Sequence, residues 1–541
     1  MVPCAAVRSR LARIAAFGVL LVVACAVGCR LLLSHLPERY AVNAPLGFML
    51  FGHGTEAPPA AEVHERLHVP PGFAISLYAD GIANARFLRF TPTGDLLVST
   101  PRSGEIRILL RDENGDGRPD GVRTLIGGLD RPHGLDFHEG WLYIGEGNAI
   151  ARVRYDAASR SVVGPVERLA PLPSGGNHWT RTLRFGPDGA LYVTVGSSCN
   201  ACIETDPRRA VMLRYQPDGT GEAIYATGLR NSVGFDWQPG SGALYATDNG
   251  RDLLGDDVPP CELNRIVQGG FYGWPFAMGN RVPDPELGGG HEAQIAASIP
   301  PAHGFAAHNA PLGITFLRNP ALPEAYRGAA LAALHGSWNR THKDGYKVVS
   351  LHWQPDGSIQ EREFATGFLR GEEVIGRPVD VAEGPDGIIY VSDDYAGAIY
   401  RITPPGPGAG AAQQSSPVPS EASGSPGASA SAREAGARRE AESAEPSEVN
   451  RRAPAQQPSD GDPVRLRGLA LWEANGCARC HDPARAQAGV VPVPIRGLAA
   501  RYDVEALRAF LAAPTPPMPA FALDDAQRRD LAVFLLAEHG S

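Results

Sequence analysis

Between about residue 67 and residue 403, short apolar runs alternate with polar positions, and glycine turns join them in pairs. The recurring unit is a strand, a turn, then a more apolar strand. Its copies are "FLRFTPTGDLLVST", "GLDFHEGWLYIGE", "LRFGPDGALYVTVG", "GFDWQPGSGALYATDNG", "YRGAALAALHG" and "VAEGPDGIIYVSDD". The first four turn glycines, Gly94, Gly140, Gly189 and Gly242, lie 46, 49 and 53 residues apart, and later spacings lengthen through insertions. Such a period of paired strands predicts propeller blades. Each four-stranded blade buries its faces on its neighbours, and the closed ring leaves few exposed edges. Six copies predict an all-β six-bladed propeller over residues 64–403, with a degenerate fifth copy.

The pattern changes twice after residue 403. Residues 404–462, rich in Pro, Ala, Ser and Glu, have almost no large apolar side chains. Such a stretch buries too little surface to offset its ordering entropy, so it predicts a disordered tether. From residue 463 the period becomes helical. "PVRLRGLALWEANG" sets Leu466, Leu469 and Trp472 on one face, and "YDVEALRAFLAAP" and "DDAQRRDLAVFLLAEHG" predict two more helices. Residues 463–541 thus read as a small all-α domain.

Residues 1–35 differ again. Arg8, Arg10 and Arg13 precede an apolar run from Ile14 to Gly28. A positive flank before a short apolar core fits a secretory signal or an uncleaved anchor. "VVAC" at Cys25 and "AVGC" at Cys29 each fit a lipidation site. All three fates place the body outside the cytoplasm, in the periplasm, with the inner membrane as its possible anchor. The net charge of −9 and pI near 5.9 give no case for nucleic-acid binding.

"EANGCARCHDPA" contains C-x-x-C-H, the attachment pattern of a c-type haem. Cys477 and Cys480 would take the vinyl groups, and His481 one face of the iron. Met518, between prolines in "TPPMPAF", suits the opposite face, where a thioether raises the reduction potential. The order helix, CxxCH, helix, PxMP, helix resembles a small class I cytochrome c. That resemblance implies haem c and a role in electron transfer.

The loops before the propeller strands carry the other chemistry. His133 stands before one blade, Asn177 and His178 before the next, then Arg230 with Asn231, His308 and Arg377. Histidine and arginine at one register in five blades predict a basic rim, suited to a multiply anionic ligand.

"SGGNHWTRTLRFGPDGALYVTVGSS", "GLRNSVGFDWQPGSGALYATDNGRDLLGDD", "ELNRIVQGGFYGWP" and "GRPVDVAEGPDG" together resemble the PQQ-dependent sugar dehydrogenases, in particular the L-sorbosone dehydrogenase-like branch. The resemblance covers essentially the whole propeller and implies a six-bladed fold. It implies that pyrroloquinoline quinone (PQQ), a tricarboxylate ortho-quinone, binds over the channel mouth with Ca²⁺. It also assigns roles. His178 would be the general base and Arg230 the polarising cation. Asn231 and Arg377 would hold the cofactor, with Arg340 as a second carboxylate contact. The backbone carbonyls of Gly250 and Arg251 would ligate Ca²⁺, which takes oxygen ligands. His133 and His308 are assigned to cofactor binding from their rim position alone. Two departures weaken any aldose specificity: Asn177 where soluble glucose dehydrogenases carry an acid, and Val379 where they carry an arginine.

Two features are left over. Asp112, Asn114, Asp116 and Asp120 in "RDENGDGRPDG" have the spacing of a Ca²⁺ loop, but Arg123 replaces its last ligand, so a plain hairpin tip fits equally. Cys199 and Cys202 fit either a small disulfide in an oxidising compartment or a pair of free thiols near a loop.

The expectation is PQQ-dependent oxidation of a sugar or related alcohol or aldehyde, with electrons passed to haem c and on to an acceptor of the respiratory chain. Two rivals stand beside it. A Ca²⁺-dependent lactonase-like hydrolase would want acidic side chains in the channel. A non-catalytic binding propeller would leave only the cytochrome active.

Overall fold

The computed structural model describes residues 41–44, 54–405 and, within 463–539, four helical segments with a few residues between them. The predicted leader, residues 406–462 of the tether and the side chain of Cys480 lie outside the described residues. The chain divides into two compact units, one on either side of residue 412.

The first unit is a propeller of six blades: 88–126, 135–171, 183–227, 232–305, 311–365, and 378–403 completed by Ala74–Ala79. In the last blade the early strand Ala74–Ala79 pairs antiparallel with Ala398–Thr403, so the two ends of the propeller sequence close the ring. Stacking dictates the strand composition. The second strand of a blade lies between two neighbours, and "LLVST", "LYVTV", "LYATD", "ALAAL" and "IYVSD" are buried at every position. Outer strands such as Gly121–Ile126 keep several exposed residues. Six apolar clusters fill the six blade interfaces. One sets Leu97, Ile106 and Ile108 of blade 1 against Leu142, Ile144 and Val153 of blade 2.

The first strands carry a polar lock. Asp136, Asp236 and Asp380, in blades 2, 4 and 6, are buried. Each accepts a backbone N–H from the next blade's first strand: Phe185 at 2.7 Å, Phe316 at 2.8 Å and Leu88 at 2.8 Å. Arg89 pairs with Asp136, and Arg184 lies 3.1 Å from Asp236. Buried carboxylates need such partners, so the locks fix how adjacent blades meet.

The fifth repeat deviates because its turn is replaced. The sequence copy marks the second strand, Ala330–Leu334. The first is Pro311–Phe316, and residues 317–329 fill the place of a tight turn. Blade 4 carries a long insertion, 267–302, whose Gly270–Phe271 adds a fifth, parallel strand to blade 3.

Two short helices, α1 (Val63–Arg66) and α2 (Glu292–Ala297), lie outside the blades. The second unit contains α3 (Pro463–Ala474), α4 (Ala478–His481), α5 (Val504–Ala512) and α6 (Asp525–His539). Its core gathers Trp472, Leu507, Leu511, Leu531, Phe534 and Leu535. Leu469, expected on the inner face, is 36% exposed. Gly468 takes the close approach in its place: a Cβ there would stand 2.3 Å from the Asp530 carbonyl oxygen and 2.5 Å from Phe534 Cβ. Among the described residues no helix is long and apolar enough to cross a membrane.

Candidate active site

Each blade's first strand runs away from one face of the ring, so residues just before it and the loops between second and third strands share that face. His133, Arg230, Asn231, His308 and Arg377 all occupy this register, one to three residues before a first strand; His178 lies five residues before its own. Blade 1 supplies a member that the sequence reading missed: Arg86, buried, two residues before Leu88.

His178 and Asn231 meet across Gly196. A Cβ at Gly196 would lie 2.6 Å from His178 Cβ and 2.9 Å from Asn231 Oδ1, so only glycine lets both side chains in. His178 Nδ1 lies 2.9 Å from the Ser197 carbonyl oxygen and 2.8 Å from Ser197 Oγ. A carbonyl only accepts, so the hydrogen sits on Nδ1 and the Nε2 lone pair is the basic one. Burial, then the nearby Arg230 charge, depresses the imidazole to about 3. His178 is therefore neutral at any ordinary pH.

Arg230 is buried, and all five of its side-chain donors are engaged. Nε donates to the Asn200 carbonyl at 2.9 Å, and Nη1 to those of Asn249 and Gly250 at 3.1 and 2.9 Å. Nη2 reaches Asn200 Oδ1 at 2.8 Å and Asp252 Oδ2 at 3.2 Å. Asp252 extends the chain to His308, whose Nδ1 is 3.8 Å away and whose Nε2 donates to the Gly255 carbonyl at 2.7 Å. Burial opposes charge on Asp252, but His308 and Arg230 outweigh it and hold its carboxyl below the usual range.

A second network spans blades 5, 6 and 1. Arg377 Nη2 lies 3.0 Å from His335 Nδ1, His335 Nε2 lies 2.9 Å from Asp394 Oδ1, and Asp394 Oδ2 accepts from Arg86 Nη1 at 2.8 Å. The arginine can only donate, so His335 is neutral and donates through Nε2. Trp179, next to the base, has the Arg86 and Arg131 guanidiniums 5.7 and 5.9 Å from its ring centre, with His133 edge-on at 5.7 Å.

These networks leave buried polar atoms without partners: Asn231 Oδ1, His133 Nε2 and Arg86 Nε. Unmet buried polar atoms are costly in a fold that serves no ligand. Beside buried Arg86, Arg230 and Arg377 they fit a planar, multiply anionic ligand such as a tricarboxylate quinone.

Two expected contacts stand apart. Arg340 is directed to the Asp256 carbonyl and, at 3.2 Å, to the Ala307 carbonyl. Gly250 and Arg251 do lie beside the site, but the Gly250 oxygen accepts from Arg230, and the Arg251 side chain turns away to Asp284 at 2.6 Å. A carbonyl oxygen has two lone pairs, so the Gly250 oxygen keeps one that a cation could take while it accepts from Arg230.

Arg86, Asn200, Ser197, His335 and Asp394 were not legible as site residues. Arg86 alone had a signal, the shared register. The loop at Asp112 is a closed hairpin tip: its carboxylate accepts from Gly115, Asp116 and Gly117 N–H groups. Cys199 and Cys202 are paired, and Cys261 is a buried thiol.

In the helical unit, Cys477 is buried in the same apolar cluster that Met518 packs against. The His481 N–H donates to the Cys477 carbonyl at 3.1 Å, and its ring lies 6.0 Å from Trp472.

Comparison with known proteins agrees with this architecture. An uncharacterized protein of Borreliella burgdorferi is 30% identical over 361 residues, 63% of this chain and 92% of its own. A pyrroloquinoline quinone-dependent sugar dehydrogenase of Hypocrea jecorina is 26% identical over 394 residues, 61% of this chain and 88% of its own. The calcium structure of the Trichoderma reesei family AA12 carbohydrate-active enzyme superposes with a TM-score of 0.55 at 22% identity, covering 63% of this chain and 97% of that one. The glucose/sorbosone dehydrogenase family model matches residues 83–401, more than half of the chain, which therefore belongs to that family.

Proposed function

We propose that the propeller is a PQQ-dependent dehydrogenase of a sugar or a related alcohol or aldehyde, and that the helical unit is a class I cytochrome c that takes its electrons onward. The observation that carries the first part is the pairing of His178 and Asn231 across Gly196, beside a fully buried Arg230. The family membership and the named function of the Hypocrea jecorina relative support it.

When bound, PQQ supplies the acceptor for the electron pair of the substrate C–H bond. Its carboxylates would be held by Arg86 and Arg377, with Asn231 beside it. His178 then takes the substrate hydroxyl proton at Nε2, while the Ser197 carbonyl stabilises the cationic ring that forms. A base with so low a pKa stays unprotonated, and the proton it gains is passed on readily. Arg230 supplies a fixed positive charge in a dry setting, where it stabilises growing negative charge more strongly than in water. Trp179, next to the base, sets an aromatic ring beside Arg86.

In the second unit, Cys477 and Cys480 would anchor haem, with His481 and Met518 as axial ligands; haem supplies one-electron carriage. The two units would then form one electron-transfer path. A periplasmic setting, an N-terminal membrane anchor and a respiratory acceptor belong to the same proposal.

The test is haem absorption of the purified protein supplied with PQQ and Ca²⁺, as aldoses, sorbosone and polyols are added without oxygen. Haem reduction that requires PQQ and is lost in His178→Ala supports the proposal. Failure to bind PQQ removes it, and reduction that survives in His178→Ala removes His178 as base.

A further inference from the structure

Arg230 spends two of its five donors on one residue, Asn200. No other residue receives two. Asn200 is in turn fixed to the 249–252 loop, a blade away: its Oδ1 also accepts the Asp252 N–H at 2.8 Å, and its Nδ2 donates to the Asp252 carbonyl at 3.1 Å. The same short segment holds the histidine. The Ser197 hydroxyl donates to the Cys199 carbonyl at 2.8 Å, which turns its lone pairs toward His178 Nδ1. Ser197 N–H donates to the Arg230 carbonyl at 2.8 Å. The segment has little apolar burial of its own. Residues 198–202 are half-buried, and Ile203 is 63% exposed. Its closure is instead covalent, through Cys199–Cys202, backed by Ser198 Oγ donating to Glu204 at 2.8 Å.

We propose that Asn200, on the loop closed by the Cys199–Cys202 disulfide, is the positioning residue for Arg230, and that this loop sets Arg230 and His178 in register together. The proposal rests on the reading of His178 and Arg230 given above. Arginine's planar fork is specific in direction, so an acceptor that takes two of its donors dictates where the charge lies. A small ring closed by a disulfide removes alternative loop conformations. Breaking it is a balanced exchange: a dithiol reductant gives up two hydrogens and becomes its own disulfide, and Cys199 and Cys202 become thiols. Both are half-buried and reachable from solvent.

The experiment compares Asn200→Ala, Asn200→Asp and the double variant Cys199→Ser/Cys202→Ser in the full-length holoenzyme. Asn200→Ala should lower kcat by about 30-fold, the scale of a misplaced catalytic group, with KM within about twofold and only a modest fall in melting temperature from the lost hydrogen bonds. Asn200→Asp, which keeps the acceptor for Nη2, should retain activity within about fivefold. Dithiothreitol treatment followed by anaerobic removal of the reductant, so that it reduces neither PQQ nor haem in the assay, should slow the wild type and leave the double variant as it was. A second readout needs neither PQQ nor activity: the NMR titration of His178, assigned with His178→Ala. Arg230 depresses that imidazole, so Asn200→Ala should raise its midpoint; Asn200→Asp adds a carboxylate beside Arg230 that raises it as well, so this readout compares Asn200→Ala with the wild type only. Unchanged kcat and an unchanged His178 midpoint in Asn200→Ala would overturn the proposal. A shifted midpoint in a protein that oxidises nothing would keep the positioning role and overturn the dehydrogenase reading instead.

Discussion

Arg86 and Asp394 form a buried ion pair at 2.8 Å, across 308 residues of sequence, and so join the first blade to the last. The pair is also the far end of the network that begins at Arg377. One contact thus serves ring closure and site assembly at once. Removing one partner of a buried pair strands the other charge, at a cost of about 3–5 kcal/mol. Arg86→Ala should therefore destabilise the propeller by about 3 kcal/mol, the low end because His335 still donates to Asp394. Urea unfolding of the wild type and variant measures this. PQQ affinity, read by equilibrium dialysis, should fall in the same variant.

His178→Gln should lower kcat by about 10²–10⁴-fold with little effect on KM, the usual range for loss of a general base. The wild-type kcat/KM should show no acidic limb from His178 between pH 5 and 8, because its imidazole titrates near 3. A limb near pH 6.5 that disappears in His178→Gln would show that Arg230 and burial do not depress the ring.

The blade count was legible because the turn between first and second strands repeats as GPDG-like motifs, and because a strand buried on both faces must be nearly all apolar. The rim register was legible for the same reason: it sits at a fixed distance from a recognisable strand. Arg86 shares that register, but "NARFLRF" carries two arginines and no turn signal that separates rim from strand. Asn200, His335 and Asp394 lie in loops between second and third strands. Those loops differ in length from blade to blade, so no period points to them. Their roles come from hydrogen bonds between blades, and pairings 30 to 59 residues apart leave no mark in a single sequence. The Asp112 loop illustrates the reverse case. Its spacing fitted a cation loop, yet its carboxylate serves its own backbone.

The neutral buried histidine His335 should make the fold acid-sensitive. Burial, then Arg377, lowers its pKa to about 4 against the ordinary 6.5. Between those values the unfolded chain binds a proton that the folded one refuses. Stability from this group is thus complete above pH 6.5 and drains away down to about pH 4, by about 1.4 kcal/mol per pH unit. Buried Asp380, raised to about 7 by desolvation, acts with the opposite sign, losing stability as pH rises toward 7. A variant comparison separates the two. The pH slope of unfolding free energy between pH 4.5 and 6 should be smaller in His335→Gln than in the wild type by about 1.4 kcal/mol per unit.

Gly196→Ala tests the closeness of His178 and Asn231. Its new methyl would stand 2.6 Å from one and 2.9 Å from the other, and both are side chains of the site. One must yield. An ångström of displacement costs about 100-fold in rate, while overpacking costs about 1–3 kcal/mol of stability. Steady-state kinetics and a thermal melt should show the rate falling far more than the stability.

Gly468→Val should act on the helical unit alone. The added Cβ meets the Asp530 carbonyl at 2.3 Å and Phe534 Cβ at 2.5 Å, which α3 and α6 relieve only by separating. Those helices enclose the cluster that holds Cys477 and Met518. A valine there exceeds ordinary overpacking, since the obstacle is backbone, so the loss should surpass the usual ~1–3 kcal/mol. The expected result is loss of the covalent haem stain from the denatured polypeptide, as in Cys477→Ser, with the propeller's own melting transition unchanged. If Gly468→Val keeps full haem content and its absorption spectrum, the close crossing of α3 and α6 is not what supports the haem site. If Cys477→Ser still carries covalent haem in wild-type amount, attachment does not use this motif and the cytochrome reading fails.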